Sequence, residues 1–350
     1  MRSTINDVAR EAGVSRGTVD RVINNKGNVS KKSEEKVFAA IKKLDYVRSP
    51  FASALSKSGN RIKIGIVYPD LDHYYWDEVD KGIVEMKNTM DAMGVEILTV
   101  KTKSYDYREQ IREFENLVQK GVKGIITIAY HRNKLDKKIE ELYEKDIPII
   151  TFVSDAPDSK RLYYVGLNDY KAGMTAGKLM GLYLEGRANI AVIGVHRDLA
   201  SMEDRIRGFR DKIKIEYPGI NILDVYSLKE DTRSGMDIYN ESLKTLTEEI
   251  IEKRLDINGI YVTSSLTGHV GKVLETMEIG YKIILIGHEN TKETRKMLLN
   301  DMVHATVFQD QKEEIKRAVN ILWKHIIGDE EHDFPNFYSK QRILIKEQIE

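Results

Sequence analysis

From Arg61 onward the chain alternates between short β-branched runs and amphipathic stretches, and it does so twice over. Residues 62–68, 95–100, 124–128 and 148–152 read as strands, and 79–93, 107–120 and 135–145 as the helices between them. A second round opens with Tyr163-Tyr164-Val165 and continues through strands at 188–194, 222–228, 259–264 and 282–287, again with helices between. Continuous apolar strands joined by helices require parallel sheets covered on both faces. Two rounds of about five units each predict two similar α/β lobes rather than one large sheet.

Residues 1–60 follow other rules. Thr4 is a good N-cap and Asp7 suits the first turn of a helix. Ile5, Val8, Ala9 and Ala12 recur on one helical face, and Gly13 can take the left-handed conformation that ends it. Ser15 can cap a second helix that buries Val19, Val22 and Ile23. Arg16, Gly17, Thr18 and Arg21 are left outward. Ser30 can cap a third, with Val37, Ile41 and Leu44 as its covering face. Two short helices around a glycine corner form a helix-turn-helix, whose second helix enters the DNA major groove with its N-terminal end at the base edges. The 55 basic and 55 acidic residues cancel over the chain, yet residues 1–60 carry twice as many Lys and Arg as Asp and Glu. A basic head on an acidic body is the distribution of a DNA-binding module joined to something else.

The head resembles the lactose-repressor (LacI) family of transcription regulators. The run that carries the resemblance is Thr4-Ile5, Asp7-Val8-Ala9, Ala12-Gly13-Val14-Ser15, Thr18-Val19, Arg21-Val22-Ile23-Asn24, Val29-Ser30 and Leu44-Asp45-Tyr46. The resemblance implies a helix-turn-helix DNA-binding domain over 1–49 and a hinge over 50–60 that orders on the operator. The DNA-facing set is then Thr4, Ser15, Arg16, Gly17, Thr18, Arg21 and Asn24, with Ala52 and Leu55 from the hinge. Leu55 matches the leucine that is wedged into the minor groove, a device that trades base unstacking for a bent duplex and more contact. Three places depart from the pattern: Val47-Arg48-Ser49-Pro50 replaces a Pro-Asn pair, Ser53 stands for an arginine, and Asp20 for a serine beside a phosphate.

The body, 61–350, resembles the type I periplasmic sugar-binding fold in its ribose-binding-like branch. Its anchors are Val165-Gly166-Leu167-Asn168-Asp169 with Ala172-Gly173, Arg205 with Gly208-Phe209, Ile286-Gly287-His288-Glu289, and Ala305-Thr306-Val307-Phe308-Gln309-Asp310. The resemblance implies an effector-binding and dimerisation domain crossing between lobes near 162, 309 and 334. The N-lobe becomes 61–162 with 310–333, and the C-lobe 163–309 with 334–350. A sugar needs apolar walls for its C–H faces and forked polar groups for its hydroxyls. Tyr75 and Trp76 match the stacking aromatics, His73 a polar contact, and Arg205, Glu289 and Gln309 the remaining cleft contacts. Asp155 follows the fourth strand, and Ser264 with Ser265 replaces the usual Asn-Asp. Arg205, Ser264 and His73 suit a phosphate as well as a sugar, so a sugar phosphate stays open.

The chain has no cysteine, so neither a disulfide framework nor a cysteine-ligated metal is expected, and His73 has no second ligand at metal spacing, so no metal site is expected. It lacks the glycine-rich nucleotide motifs, the His-Glu-x-x-His pair and the Gly-x-Ser-x-Gly elbow, and no cofactor is expected. No apolar run approaches a membrane span of about 18–20 residues, and the N-terminus has no secretory h-region. The expectation is a cytoplasmic homodimer that binds double-stranded operator DNA and a small effector without turnover. The alternative is a transport or chemosensory sugar-binding protein with no DNA function.

Overall fold

The computed structural model describes residues 5–23, 27, 29–44, 61–70, 74–131, 133–194, 198–228, 236–329 and 336–349. They belong to two compact units, Met1–Asn60 and Arg61–Glu350.

The smaller unit holds α1 (Ile5–Ala12), α2 (Arg16–Ile23) and α3 (Lys31–Lys43). Gly13 ends α1 at φ +64°, where its missing Cβ removes the usual penalty, and Val14 N–H returns 3.0 Å to the Ala9 carbonyl. The Ser15 Oγ accepts from the Thr18 N–H at 3.1 Å, and the Ser30 Oγ from the Ser33 N–H at 3.2 Å, so both serines cap as the sequence suggests. Val8, Ala9, Ala12, Val19, Val22, Val37 and Ala40 form the core, with Ile41 and Leu44 half-buried at its edge. A core of small side chains limits how much stability so short a unit gains from burial.

In the larger unit, β1 (Ile62–Pro69), β2 (Val95–Thr102), β3 (Val122–Thr127), β4 (Ile149–Phe152), β5 (Tyr163–Gly166) and β11 (Asn336–Tyr338) make one sheet. Its order is β11-β5-β4-β3-β1-β2 and every pairing is parallel. The second sheet holds β6 (Ala188–Gly194), β7 (Ile220–Ser227), β8 (Gly259–Val262), β9 (Ile284–His288), β10 (Ala305–Phe308) and β12 (Arg342–Leu344). Its order is β12-β10-β9-β8-β6-β7, parallel except for β12. Helices α4 (Tyr74–Asp91), α5 (Tyr107–Gln119) and α6 (Asp136–Tyr143) follow strands of the first sheet. Helices α7 (Asp169–Leu184), α8 (Ala200–Glu216), α9 (Met236–Lys253), α10 (Thr267–Thr276) and α11 (Lys292–Leu299) serve the second. Helix α12 (Gln311–Ile326) follows β10 but lies on the first sheet, where Leu322 packs against Gly124. Central strands are apolar throughout because both faces are covered; β4, β5 and β8 are buried end to end.

Two boundaries differ from the sequence reading. Tyr163–Gly166 pairs with β4 in the first sheet, so the first crossing follows Gly166 instead of lying near 162. Asn336–Tyr338 pairs with β5, so the third crossing follows Tyr338 instead of lying near 334. The link between β4 and β5 holds only turns and no helix, and without that separator the strand reads as the start of the next round. The two crossings touch, with Ser339 N–H donating to the Gly166 carbonyl at 2.8 Å. Helix α4 also begins at Tyr74, earlier than the expected 79, which places Tyr75 and Trp76 in its first turn.

Helices α7 and α8 meet at two glycines. A Cβ on Gly173 would lie 2.0 Å from the Arg205 carbonyl oxygen, and one on Gly208 1.9 Å from that of Tyr170. Only glycine permits this approach.

Candidate functional site

In the smaller unit, α2 buries Val19 and Val22 and leaves Ser15, Arg16, Gly17 and Arg21 exposed. Thr18 is half-buried, and its hydroxyl lies 2.9 Å from the Ser15 Oγ, inside the cap. The exposed residues therefore pair two arginines with the small Ser15 and Gly17. Thr4, Asn24, Ala52 and Leu55 lie outside the described residues, as does the side chain of Asp20.

In the larger unit, each sheet reverses strand order beside its first strand, at β3-β1-β2 and at β8-β6-β7. Ligands of open α/β sheets bind outside the carboxyl ends of strands at such points. Hydrogen bonds here join the two lobes. The Gln309 amide donates to the Tyr75 hydroxyl at 3.0 Å, the Gln311 amide to Glu289 Oε2 at 2.9 Å, and the Ser201 N–H to the Ser154 Oγ at 3.4 Å. Tyr75 and Trp76 are buried edge to face, ring centres 4.9 Å apart. Tyr105 meets Tyr130 in the same geometry at 5.3 Å. Tyr75, Trp76 and Tyr105 supply the apolar wall.

Arg205, on α8, is 2% exposed. Its Nε donates to Asp169 at 2.7 Å, Nη1 to the Thr263 carbonyl at 2.9 Å and Nη2 to Glu289 Oε1 at 3.2 Å. Burial opposes its charge, but the two carboxylates hold its pKa above the ordinary value. Burial also pushes the Asp169 carboxyl up to about 7 and raises Glu289, each against the pull of Arg205. Behind them His288 shares a 2.8 Å hydrogen bond with the Tyr261 hydroxyl, and burial, reinforced by Arg205, drives its pKa well down, so it stays neutral. Glu289 adopts φ +69°, a left-handed conformation that costs a non-glycine residue about 1–3 kcal/mol. It is pinned there by its own N–H on the Val307 carbonyl at 2.9 Å and by the Thr306 hydroxyl on its carbonyl at 3.0 Å.

Of the expected effector contacts, the structure gathers Tyr75, Trp76, Arg205, Glu289 and Gln309, all buried. His73 lies outside the described residues. Asp155 is engaged within its own lobe: it accepts from Thr151 at 2.6 Å, from the Ala156 N–H at 2.8 Å and from Arg161 Nη2 at 2.7 Å. It also lines a cavity of about 230 Å³ shared with Tyr164 and Tyr338 of the same lobe and Asn168, Asp169 and Ser201 of the other. The Ser264 Oγ accepts from the Leu266 N–H at 3.4 Å, a turn contact ahead of α10, and the residue beside it, Thr263, is the one that meets Arg205. Sequence reasoning missed Thr263 and Gln311. It used Asp169 only as a fold anchor, although an acid in a helix's first turn near a buried arginine is a readable signal.

Among the described residues no helix is long and apolar enough to cross a membrane, and no three His, Cys, Asp or Glu side chains group as a metal site.

Residues 64–330 match the family described as periplasmic binding protein domain, and residues 4–49 match bacterial regulatory proteins, lacI family. The HTH-type transcriptional regulator DegA of Bacillus subtilis is 33% identical over 61% of each chain. Catabolite control protein A of Staphylococcus epidermidis is 24% identical over 98% of each. A glucose-galactose binding protein from Geobacillus stearothermophilus superposes with a TM-score of 0.74 at 27% identity, covering 83% of this chain and 99% of its own. The chain belongs to the periplasmic binding protein family through its larger unit and carries a lacI-family helix-turn-helix domain at its head, the combination of a DNA-binding transcription regulator rather than an enzyme.

Proposed function

We propose that the protein acts in the cytoplasm as a homodimer whose grip on a near-palindromic operator is set by a sugar or sugar derivative closed between its lobes. Each helix-turn-helix reads one half-site, as two-fold symmetry requires. Arg16 and Gly17 approach base edges, with Arg21 at a base or phosphate.

The observation that carries the ligand class is the cleft's pattern of buried polar atoms. The Gln309 Oε1, Thr263 Oγ1 and Ser201 Oγ are buried and meet no hydrogen-bond partner among the described residues; Gln309 touches Tyr75 and Thr263 touches Arg205. Such atoms cost about 1–3 kcal/mol each when left unmet. A flat, hydroxyl-rich ligand supplies both the partners and the apolar face. The likeness to a glucose-galactose binding protein supports the same class. Arg205 is already neutralised by Asp169 and Glu289, which favours a neutral sugar over a phosphorylated one.

Because Tyr75–Gln309 and Gln311–Glu289 already tie the lobes, a ligand bridging the same strand ends biases the angle between them. That bias reaches the operator as a coupling free energy, typically about 1–3 kcal/mol. The test is a thermal-shift screen of the full-length protein with pentoses, hexoses and their phosphates, followed by operator titration with each binder. The expected result is a sugar that raises the melting temperature and changes operator affinity. A binder that never alters operator affinity overturns the proposal.

A further inference from the structure

The cavity beside Asp155 is a second opening between the lobes. The first lobe gives it Asp155, Arg161 and Tyr338, and the second gives it Asn168, Ser201 and Asp204. Tyr75, Trp76, Arg205, Glu289 and Gln309, which build the strand-end cleft, do not line it. Asp169 belongs to both places: it lines the cavity, and its Oδ1 accepts from Arg205 in the cleft.

The acids of this wall are already paired. Asp155 meets Arg161, Asp169 meets Arg205 at 2.7 Å, and Asp204 meets Arg207 at 2.9 Å. Arg161 is held in turn by the Asn336 Oδ1 at 2.7 Å. An ion entering here gives up its water with no free counter-charge from these groups to replace it. A neutral hydroxyl gives up less, and it can both donate and accept. Of the three unmet buried atoms named above, only the Ser201 Oγ belongs to a residue that lines this cavity. Ser201 is 2% exposed, and its N–H is already given to Ser154 across the lobes. Tyr164 and Tyr338, edge to face with ring centres 6.1 Å apart, add an aromatic surface for C–H groups.

The volume limits the guest. At 230 Å³ the cavity falls below the ~300–1,000 Å³ of drug-sized pockets and equals roughly eight waters of liquid volume. We propose that it is a second binding site, for an uncharged polyol of about three to five carbons. The Ser201 hydroxyl and the Asp155 and Asp204 carboxylates take its hydroxyls, and the two tyrosines take its C–H face. Touching both lobes and bordering Asp169, the polyol steadies the lobe arrangement that the cleft ligand also selects. The inference goes beyond the sugar-type reading of the cleft and does not depend on it.

The test is calorimetric titration of the full-length protein with glycerol, erythritol and xylitol, with glycerol 3-phosphate as the charged comparison. Millimolar concentrations keep clear of the general stabilisation that concentrated polyols exert. One polyol per chain is expected to bind, about tenfold or more tighter than the phosphate. Ala200→Leu fills the cavity from α8, and Tyr338→Ala removes its aromatic rim. Each should weaken the polyol about tenfold. Thr263→Val deletes a hydroxyl of the cleft and should leave polyol affinity unchanged. Circular dichroism checks each fold. Tyr338 is 50% exposed, so that variant decides if Ala200→Leu does not fold. Polyol affinity that ignores Tyr338→Ala, or that falls equally in Thr263→Val, overturns the inference and leaves the cleft reading standing. The phosphate binding as tightly as the polyols overturns it too. So does the absence of binding by all three polyols, while a sugar found for the cleft by thermal shift is unaffected by that result.

Discussion

The Gln311 Nε2 lies 2.9 Å from Glu289 Oε2, joining the helix that returns to the first lobe with the strand end that carries the second lobe's acid. The bond crosses between lobes and satisfies a buried carboxylate at once. Gln311→Leu keeps the volume and removes the donor. The expected effect is a loss of about 1–3 kcal/mol in denaturant unfolding, together with an altered ligand response. Unchanged stability would mean that Glu289 finds another donor.

The Arg205 guanidinium is shared by Asp169 and Glu289. Removing one partner of a buried pair leaves uncompensated charge, at a cost of about 3–5 kcal/mol. Arg205→Leu should therefore be strongly destabilising near neutral pH, and less so in acid, where both carboxyls are protonated. Arg205→Lys keeps the charge but cannot fork across two acids and a carbonyl. It should fold better than Arg205→Leu yet still lose the ligand-induced rise in melting temperature.

Burial lifts the Asp169 pKa to about 7, from an ordinary value of 3.8. A carboxyl whose folded pKa is raised binds protons on folding. Its stabilising contribution is complete below about pH 4 and fades as pH rises through about 7. Asp169→Asn carries no titrating proton. Plots of melting temperature against pH should then diverge between pH 4 and 7, the parent declining more steeply than the variant. Parallel curves would show that Asp169 stays ionised throughout.

In the head, a Cβ on Gly17 would meet only the Ser15 Oγ, at an ordinary 3.7 Å. Gly17→Ala should thus be accepted by α2 and raise its stability by roughly 0.5 kcal/mol. If this face lies against base edges, the added methyl group should weaken operator binding, measured by fluorescence anisotropy. Arg16→Ala is expected to cost about 1–3 kcal/mol at one base position and leave other positions unchanged. Equal losses on every sequence would make Arg16 a phosphate contact.

Much of this was readable before any coordinates. The helix-turn-helix follows from its caps and Gly13, and the two-lobed α/β body from the strand–helix alternation. Arg205, Glu289 and Gln309 were placed by the short runs around them. What escaped depends on distant partners. For Asp155 the sequence hides the partner: Arg161 folds back on it and is itself held by Asn336 at 2.7 Å, from the far end of the chain. Glu314 reads as one more acid in an amphipathic helix. Its burial against the Ser339 hydroxyl follows from the crossing there, which the sequence reading placed too early because β11 is only three residues long. Strand patterns reveal burial; which sheet a strand joins is decided by pairing, and pattern carries no record of that.

The contacts of Gly173 with the Arg205 backbone and of Gly208 with the Tyr170 backbone reach further than their size suggests. Because backbone meets backbone there, the separation of α7 and α8 is independent of any rotamer, and so is the offset between Asp169 and Arg205. Two absent methyl groups, on neither wall of the binding crevice, thereby preset its electrostatic template. Taste for a new effector can evolve through the side chains that rim the crevice, while the scaffold under the guanidinium is inherited as a fixed part.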